Sequence, residues 1–296
     1  MASHMGNNAD RIKSYRYSIV TPVRNEEAVL QRTVQSVIDQ TIRPGKWVIL
    51  DDGSTDKTGE ILNFFSNRYT WIEIIHTEKQ GSNYWDVQEK LAIAFNRIDF
   101  DQNEYIGKLD ADIELSCTYF EDLLRKNYLD PKLGIAGGTL YYYTKNRKIV
   151  EKCPPDHVRG GLKLYKVQCW KDIGGMEFKM GYDTIDEVKA NMLGWKTRSF
   201  KDIEALHHRP TGKRMGTFKW HFYLGKDHYV AGYHPIFLIV KCIKDMAFKP
   251  YIINGVAKLV GYFACYLKGA EKSIEDKDYI KFLRKKQIRR LIFWIK

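Results

Sequence analysis

Disulfide and zinc chemistry find little to work with in this chain. Its 296 residues hold five cysteines, Cys117, Cys153, Cys169, Cys242 and Cys265, odd in number, widely spaced and without a CxxC pair. That excludes a small disulfide scaffold, argues against a structural zinc site and points to reduced thiols in a cytosolic setting. Long apolar runs are missing too. Pro235–Ile243 and Ile252–Leu267 are interrupted by Lys241 and Lys258, and both fall short of the roughly 20 residues a spanning helix needs. No RNA- or DNA-binding motif stands out. Met1-Ala-Ser-His-Met5 reads as a cloning remnant and residues 1–14 as a tail, with no signal peptide expected after it.

What is present suits a folded α/β protein. The chain is 44% hydrophobic, 28% charged and 14% aromatic, ample for one large domain or a domain with an appendage, and too apolar for a disordered chain. Charge is unevenly spread. Residues 205–296 carry 19 Lys or Arg against 6 Asp or Glu, a net of +13, whereas the whole chain is +12, so residues 1–204 sum to −1. A near-neutral body therefore bears a basic, aromatic tail, suited to nucleic acid or to an anionic membrane surface.

Strand and helix patterns alternate through the first two hundred residues. Tyr17–Thr21 is a β-rich run ending at Pro22, and Glu26–Gln40 places Leu30, Val34, Val37 and Ile38 on one helical face. Lys46–Leu50 is the next strand, broken by Asp51-Asp52-Gly53-Ser54-Thr55-Asp56. A helix through about Phe65 is expected next, with Ser54, Thr55 or Asp56 as its N-cap. Trp71–Ile75 reads as a strand, Tyr84–Arg97 as a helix and Glu104–Leu109 as a strand stopping at Asp110. This rhythm predicts a mostly parallel central sheet flanked by helices on both faces.

In such sheets ligands bind beyond the carboxyl ends of the strands. Three polar clusters stand at three such ends: Thr21–Glu26, Asp51–Asp56 and Asp110–Asp112. Turns are rich in Asp, Gly and Ser for reasons of their own, but three successive strand ends are harder to explain that way. In Asp110-Ala111-Asp112 two carboxylates at i and i+2 can address one hard divalent cation, and Mn2+ or Mg2+ favours few protein carboxylates plus substrate phosphates. After Phe200, His207–Gly212 reads as a loop. The segments beyond it, including Lys281–Lys296, read as amphipathic helices lying on a membrane or packing on the body.

Ser18–Glu26, Trp47–Asp56 and Lys108–Asp112 together, in this order and spacing, resemble the family 2 nucleotide-sugar glycosyltransferases of GT-A fold over roughly residues 15–212, with 213–296 a helical basic extension. The tail is similar to that of some bacterial members acting on lipid-linked or envelope glycans. The resemblance implies that Thr21, Pro22, Arg24 and Glu26 form the first nucleotide-binding loop, Arg24 standing where an aromatic Tyr is usual. It implies that Asp51 and Asp52 read the base edge and ribose, with Ser54 beside them. Asp110 and Ala111 are implied at the ribose or diphosphate, and Asp112 as metal ligand with Asp110 beside it. His207 best fits a further ligand position, with His208 the alternative, and Lys79 and Arg209 are candidate phosphate partners.

For catalysis the resemblance points to Gly181–Gly194, where Asp183 matches the second residue of an acidic pair and Tyr182 replaces the first. Asp183 is the expected general base, with Asp186 one helical turn on as next choice; capping the helix is the structural alternative for Asp183. Trp170 is a candidate sugar platform or a core residue, and Gly137-Gly138 a site of close donor approach or a strand irregularity. The implied activity is inverting, metal-dependent transfer of a sugar from a nucleotide diphosphate to a hydroxyl of a glycan or lipid-linked acceptor, in cell-envelope polysaccharide synthesis at the inner face of the cell membrane, without nucleic acid. A non-catalytic nucleotide-sugar-binding protein, or a nucleic-acid binder using the tail, are the alternatives.

Overall fold

A computed structural model describes residues 12, 14–78, 86–213, 215–247 and 251–295. In chain order the elements are β1 (Tyr17–Val23), α1 (Leu30–Ile38), β2 (Lys46–Asp52), α2 (Thr58–Arg68), β3 (Ile72–Thr77), α3 (Asp86–Phe95), β4 (Tyr105–Leu109), β5 (Ile113–Leu115), α4 (Tyr119–Leu129), β6 (Leu133–Thr144), β7 (Arg147–Val150), β8 (Leu162–Lys166), α5 (Val167–Asp172), α6 (Tyr182–Met192), β9 (Lys196–His207), α7 (Thr217–Val230), α8 (Pro235–Asp245), α9 (Ile253–Leu267) and α10 (Lys277–Ile295). Contacts divide the chain into two compact units. One runs to Phe178 and resumes at Leu193–His208; the other joins Lys179–Met192 to Arg209–Lys296. Helix α6 thus groups with the C-terminal helices.

The first unit is built on one mixed sheet of order β3-β2-β1-β4-β8-β6-β9-β5, with β7 paired to β6. The run β3-β2-β1-β4 is parallel, because each connection returns through a helix or a long crossover. Strands β1, β2 and β3 step outward, and β4 then returns to the other side of β1. That reversal opens a crevice at the carboxyl ends of β1 and β4. Beyond β4 the sheet turns antiparallel through β8 and β6, then parallel again to β9. These later strands interrupt the simple βα rhythm read from the first hundred residues.

The core explains the pattern. Leu30, Val34, Val37 and Ile38 are all buried on α1 and pack with Tyr17, Ile19, Trp47 and Ile49 of the sheet. Strands β1, β2 and β4 are buried nearly end to end, as strands covered on both faces must be, whereas the edge strand β3 is mostly half-buried. Several expectations need correcting. Helix α1 starts at Leu30 rather than Glu26, since the amides of Val29 and Leu30 both reach the Glu26 carbonyl in a preceding turn. The Tyr84–Arg97 helix is described from Asp86, Tyr84 lying outside the described residues. Helix α2 starts at Thr58, with Lys57 at its N-cap and no side-chain cap from Lys57 itself. Of the three expected caps, Ser54 and Thr55 are otherwise engaged, as shown below.

Packing decides between the two alternatives at two further places. Trp170 is a core residue: it stacks on Phe95 with centroids 4.9 Å apart and meets Tyr165 edge-on. Gly137 and Gly138 sit at a register shift between β6 and β9. A Cβ on Gly137 would stand 2.4 Å from the Leu162 carbonyl oxygen, and one on Gly138 2.5 Å from that of Ile203. The strand irregularity accounts for both glycines.

The second unit is helical. Ile185 and Val188 of α6 pack with Tyr279 and Leu283 of α10, and Tyr229 of α7 packs with Leu238 and Cys242 of α8 and Tyr262 of α9. Helices α7 and α9 cross on glycine. A Cβ on Gly225 would lie 2.0 Å from the Lys258 carbonyl oxygen, and one on Gly261 2.0 Å from that of Phe222. Among the described residues no helix is long and apolar enough to cross a membrane.

Candidate functional site

Two loops at the crevice are laced together. The Asn25 amide donates to Ser54 Oγ at 3.0 Å, and the Thr55 amide donates to Asn25 Oδ1 at 2.8 Å. The Glu26 amide donates to Thr58 Oγ1 at 2.8 Å, that of Glu27 to Asp56 Oδ2 at 3.2 Å, and that of Lys57 to Glu27 Oε2 at 2.9 Å. Asn25 takes the left-handed conformation with φ 51°, which Asn tolerates better than most residues. Ser54 and Thr55 are therefore spent on joining the loops, whereas Asp56 does both: its Oδ2 takes the Glu27 amide and its Oδ1 the amide of Thr58, the first residue of α2, at 3.0 Å.

Asp51 and Asp52, at the end of β2, are both buried. The Asp51 carboxylate lies 3.0 Å from His76 Nδ1 and accepts from the Ser54 amide at 3.1 Å. Asp52 pairs with Lys90 of α3 and stands 3.5 Å from Arg24 Nη1. Lys90 also donates to the Glu78 carbonyl at 2.8 Å. Arg24, which stands where an aromatic residue is usual, thus meets Asp52. Sequence reasoning missed His76 and Lys90; the first ends a strand and the second sits in an ordinary helical pattern, so neither carries a motif.

Other expected donor residues serve the scaffold. Thr21 is fully buried and its hydroxyl accepts from the Trp47 indole at 2.9 Å, a correction that follows from its position inside a central strand. Pro22, one residue on, is partly buried and pairs in register with Leu50. Glu26 is buried, and Ala111 is buried with its carbonyl accepting from Thr33 Oγ1 at 2.8 Å. Lys79 lies outside the described residues.

The two aspartates beyond β4 part company. Asp110 accepts from Lys108 Nζ at 2.6 Å, and Lys108 also reaches the Gly160 carbonyl at 3.0 Å. The Asp110 amide donates to the Gly161 carbonyl at 2.9 Å. A Cβ on Gly161 would stand 2.2 Å from Asp110 Oδ2, so only glycine leaves this carboxylate where it is. Asp112 instead turns to His207, with Oδ1 3.5 Å from Nε2. His207 is the last residue of β9, opposite Ile113 of β5, a correction to the loop expected there. Its Nδ1 lies 2.7 Å from Oε1 of buried Glu151. Burial opposes a charge on this ring, yet the Asp112 and Glu151 carboxylates outweigh it and raise its pKa to about 9. The His208 ring is held by Glu114 at 2.9 Å.

Among the described residues no three His, Cys, Asp or Glu side chains are grouped to hold an ion by themselves. The residues nevertheless fit an ion shared with a diphosphate. Asp112 offers a hard oxygen and His207 an imidazole nitrogen, the donor types that Mn2+ accepts beside substrate phosphates. Glu151 on the other ring nitrogen is the outer partner that metal-ligating histidines commonly have. Asp110, bound to Lys108, is not brought into that pair.

Asp183 and Asp186 lie on α6 in the second unit, with Asp183 in its first turn rather than at its cap. Asp186 is fully buried, its Oδ1 accepting from the Glu187 amide at 2.7 Å. A base must reach an acceptor hydroxyl, so this burial removes Asp186 as the reserve choice. Arg209 is half-buried in the same unit.

Residues 18–173 match the family profile of glycosyl transferase family 2. The chain belongs to that family. Family 2 relatives include the uncharacterized glycosyltransferase YibD of Escherichia coli, 27% identical over 110 residues, 37% of this chain and 29% of that protein. The uncharacterized glycosyltransferase EpsJ of Bacillus subtilis is 27% identical over 132 residues, 44% of this chain and 36% of that one. The match thus spans about a third of these relatives' length. The GT-A architecture is shared with the mannosyltransferase PcManGT of Pyrobaculum calidifontis, solved with GDP-Man and Mn2+, at a TM-score of 0.55, 15% identity, 98% of this chain and 90% of that chain. Staphylococcus aureus TarS 1-349 superposes with a TM-score of 0.51 and 12% identity over 86% of this chain and 72% of that one.

Proposed function

We propose that this family 2 protein transfers a sugar from a nucleotide diphosphate to a hydroxyl of a glycan or lipid-linked acceptor, with inversion and with a divalent ion. The observation that carries the reading is the meeting of Asp112, His207 and Glu151 at the crevice where the buried pair Asp51 and Asp52 also ends its strand. Asp51, Asp52 and Arg24 bind and orient the nucleoside. Asp112 and His207 would hold Mn2+ or Mg2+, which would supply positive charge against the departing diphosphate. Glu151 fixes the His207 ring through Nδ1, so that Nε2, beside Asp112, would ligate once its proton is displaced by the ion.

Asp183 is the proposed base. The acceptor oxygen forms a bond to the anomeric carbon, its proton passes to the Asp183 carboxylate, and the bond to the diphosphate oxygen breaks with its electron pair leaving on the nucleoside diphosphate. One displacement needs no covalent sugar–enzyme intermediate. Asp183→Asn tests this: transfer should be lost with donor binding by calorimetry nearly intact, whereas full turnover would remove Asp183 from the mechanism.

The Tyr182 departure and the burial of Asp186 favour one second reading, nucleotide-sugar binding without turnover. Release of nucleoside diphosphate across a panel of donors and acceptors separates the two. Failure of every activated sugar and nucleotide to bind, with or without Mn2+, would end both.

A further inference from the structure

Helices α8 and α9 wear their hydrophobic sides outward. On α8 the exposed residues include Ile236, Ile239 and Ile243; on α9 they are Ile253, Val256, Val260 and Leu267, with Ile252 just before them. Spacings of three, four and seven residues make each set one stripe along its helix. Ile243 is 60% exposed and Leu267 82%. The inward face of α9 is instead small or polar, comprising Asn254, Gly255, Ala257, Lys258 and Gly261 beside Tyr262 and Cys265.

Glycine contacts explain the inversion. A Cβ on Gly255 would come 2.5 Å from the Cys242 carbonyl oxygen of α8, and Gly225 and Gly261 bring α7 and α9 equally close. Backbones pressed together in this way leave no inward room for branched side chains, as in helices packed within lipid. The ion pair of buried Lys258 with half-buried Asp245, at 2.6 Å, ties α9 to the end of α8. Two contiguous stripes of isoleucine, valine and leucine in water are costly, and patches of this kind mark contact surfaces.

We propose that the α8–α9 pair is a membrane-docking face that lies within the headgroup region of an anionic bilayer. The surrounding chemistry selects this occupant. Tyr251 and Tyr266 are exposed beside the stripes, the amphipathic rings favoured at the interface. Lys244 and Lys268 are exposed near their ends. Helix α10 adds exposed Lys281, Lys285 and Arg289 with Ile288 and Ile292. With a net +13 over residues 205–296, a second copy of the same face is repelled while anionic headgroups are attracted. No described helix can cross a membrane, so the helices lie in the surface plane. The inference uses no residue of the crevice and stands apart from sugar transfer.

Co-sedimentation of the full chain with vesicles of phosphatidylcholine containing one third phosphatidylglycerol tests it, beside phosphatidylcholine alone and a salt series. Binding should need the anionic lipid, weaken with salt and fall at least about tenfold in an Ile243→Glu/Val260→Glu double variant whose thermal midpoint is unchanged. Phe64→Glu, an exposed apolar position in the first unit, should leave binding as it was. As a second readout, an environment-sensitive dye on Val256→Cys, in a chain whose free Cys117 and Cys153 are replaced by Ser, should shift to the blue on anionic vesicles. No vesicle binding, equal binding by the double variant, a dimer that the double variant dissolves, or preference for DNA or RNA over vesicles would each overturn the proposal.

Discussion

Glu151 Oε1 lies 2.7 Å from His207 Nδ1, and the same ring turns its Nε2 towards Asp112 at 3.5 Å. Glu151 thus sets which ring nitrogen faces the crevice. Glu151→Ala should raise the Mn2+ concentration needed for half-maximal nucleoside diphosphate release by about 10- to 100-fold. Glu151→Gln, which keeps an acceptor oxygen, should recover part of that loss. An unchanged Mn2+ dependence in the alanine variant would detach Glu151 from the ion.

Lys90 is the main counter-charge to buried Asp52, with Arg24 farther off at 3.5 Å. Lys90→Met leaves that carboxylate in a poorly solvated place with one distant partner. A loss on the order of 3 kcal/mol of stability is expected, typical of breaking one side of a buried pair. Urea unfolding reads it as a lower midpoint at unchanged slope.

Gly161 is needed for the space its missing Cβ leaves beside Asp110. Gly161→Ala should displace the Asp110 carboxylate from Lys108. Because Asp110 is partly exposed, it can move without unfolding the sheet. The expected signature is a raised KM for the donor with the thermal midpoint nearly kept; an unaltered KM would count against a donor role for Asp110.

His221 and His228 on α7 titrate the opposite way from His207. Burial and the Lys258 and Lys241 charges hold His221 down at about 4, and burial with Lys241 and Lys258 holds His228 at about 3, Asp245 opposing in both. Both rings are neutral in the folded chain and charge more readily once unfolded. Their contribution is therefore fully present above about pH 6.5 and lost as pH falls towards 4 and then 3. Thermal unfolding should show the midpoint falling below pH 6.5, with a smaller fall in His221→Phe.

Much of this architecture was legible because its signals are local. The spacing of Leu30, Val34, Val37 and Ile38 predicts a buried helical face, and those four side chains are buried. The clusters at Asp51 and Asp110 follow strands that the pattern also predicts. What could not be read depends on long-range pairing. Glu151 reaches His207 across 56 positions and Lys90 reaches Asp52 across 38, and neither spacing has a periodicity. The sequence pattern predicts a loop at His207 because β5, the strand that pairs with it, has only three residues and leaves no pattern of its own. The resemblance implies a donor role for Thr21, and a strand pattern does not say that its hydroxyl meets the Trp47 indole.

The lacing of residues 25–27 to residues 54–58 has a bearing on energetics. Its bonds join positions about thirty apart and draw on backbone amides with short side chains, so the pocket wall is ordered during folding. Under the proposed function, an incoming nucleotide finds its walls already rigid. Little conformational entropy is left to lose on association, and Asp51 and Asp52, already buried and paired, have little water left to shed.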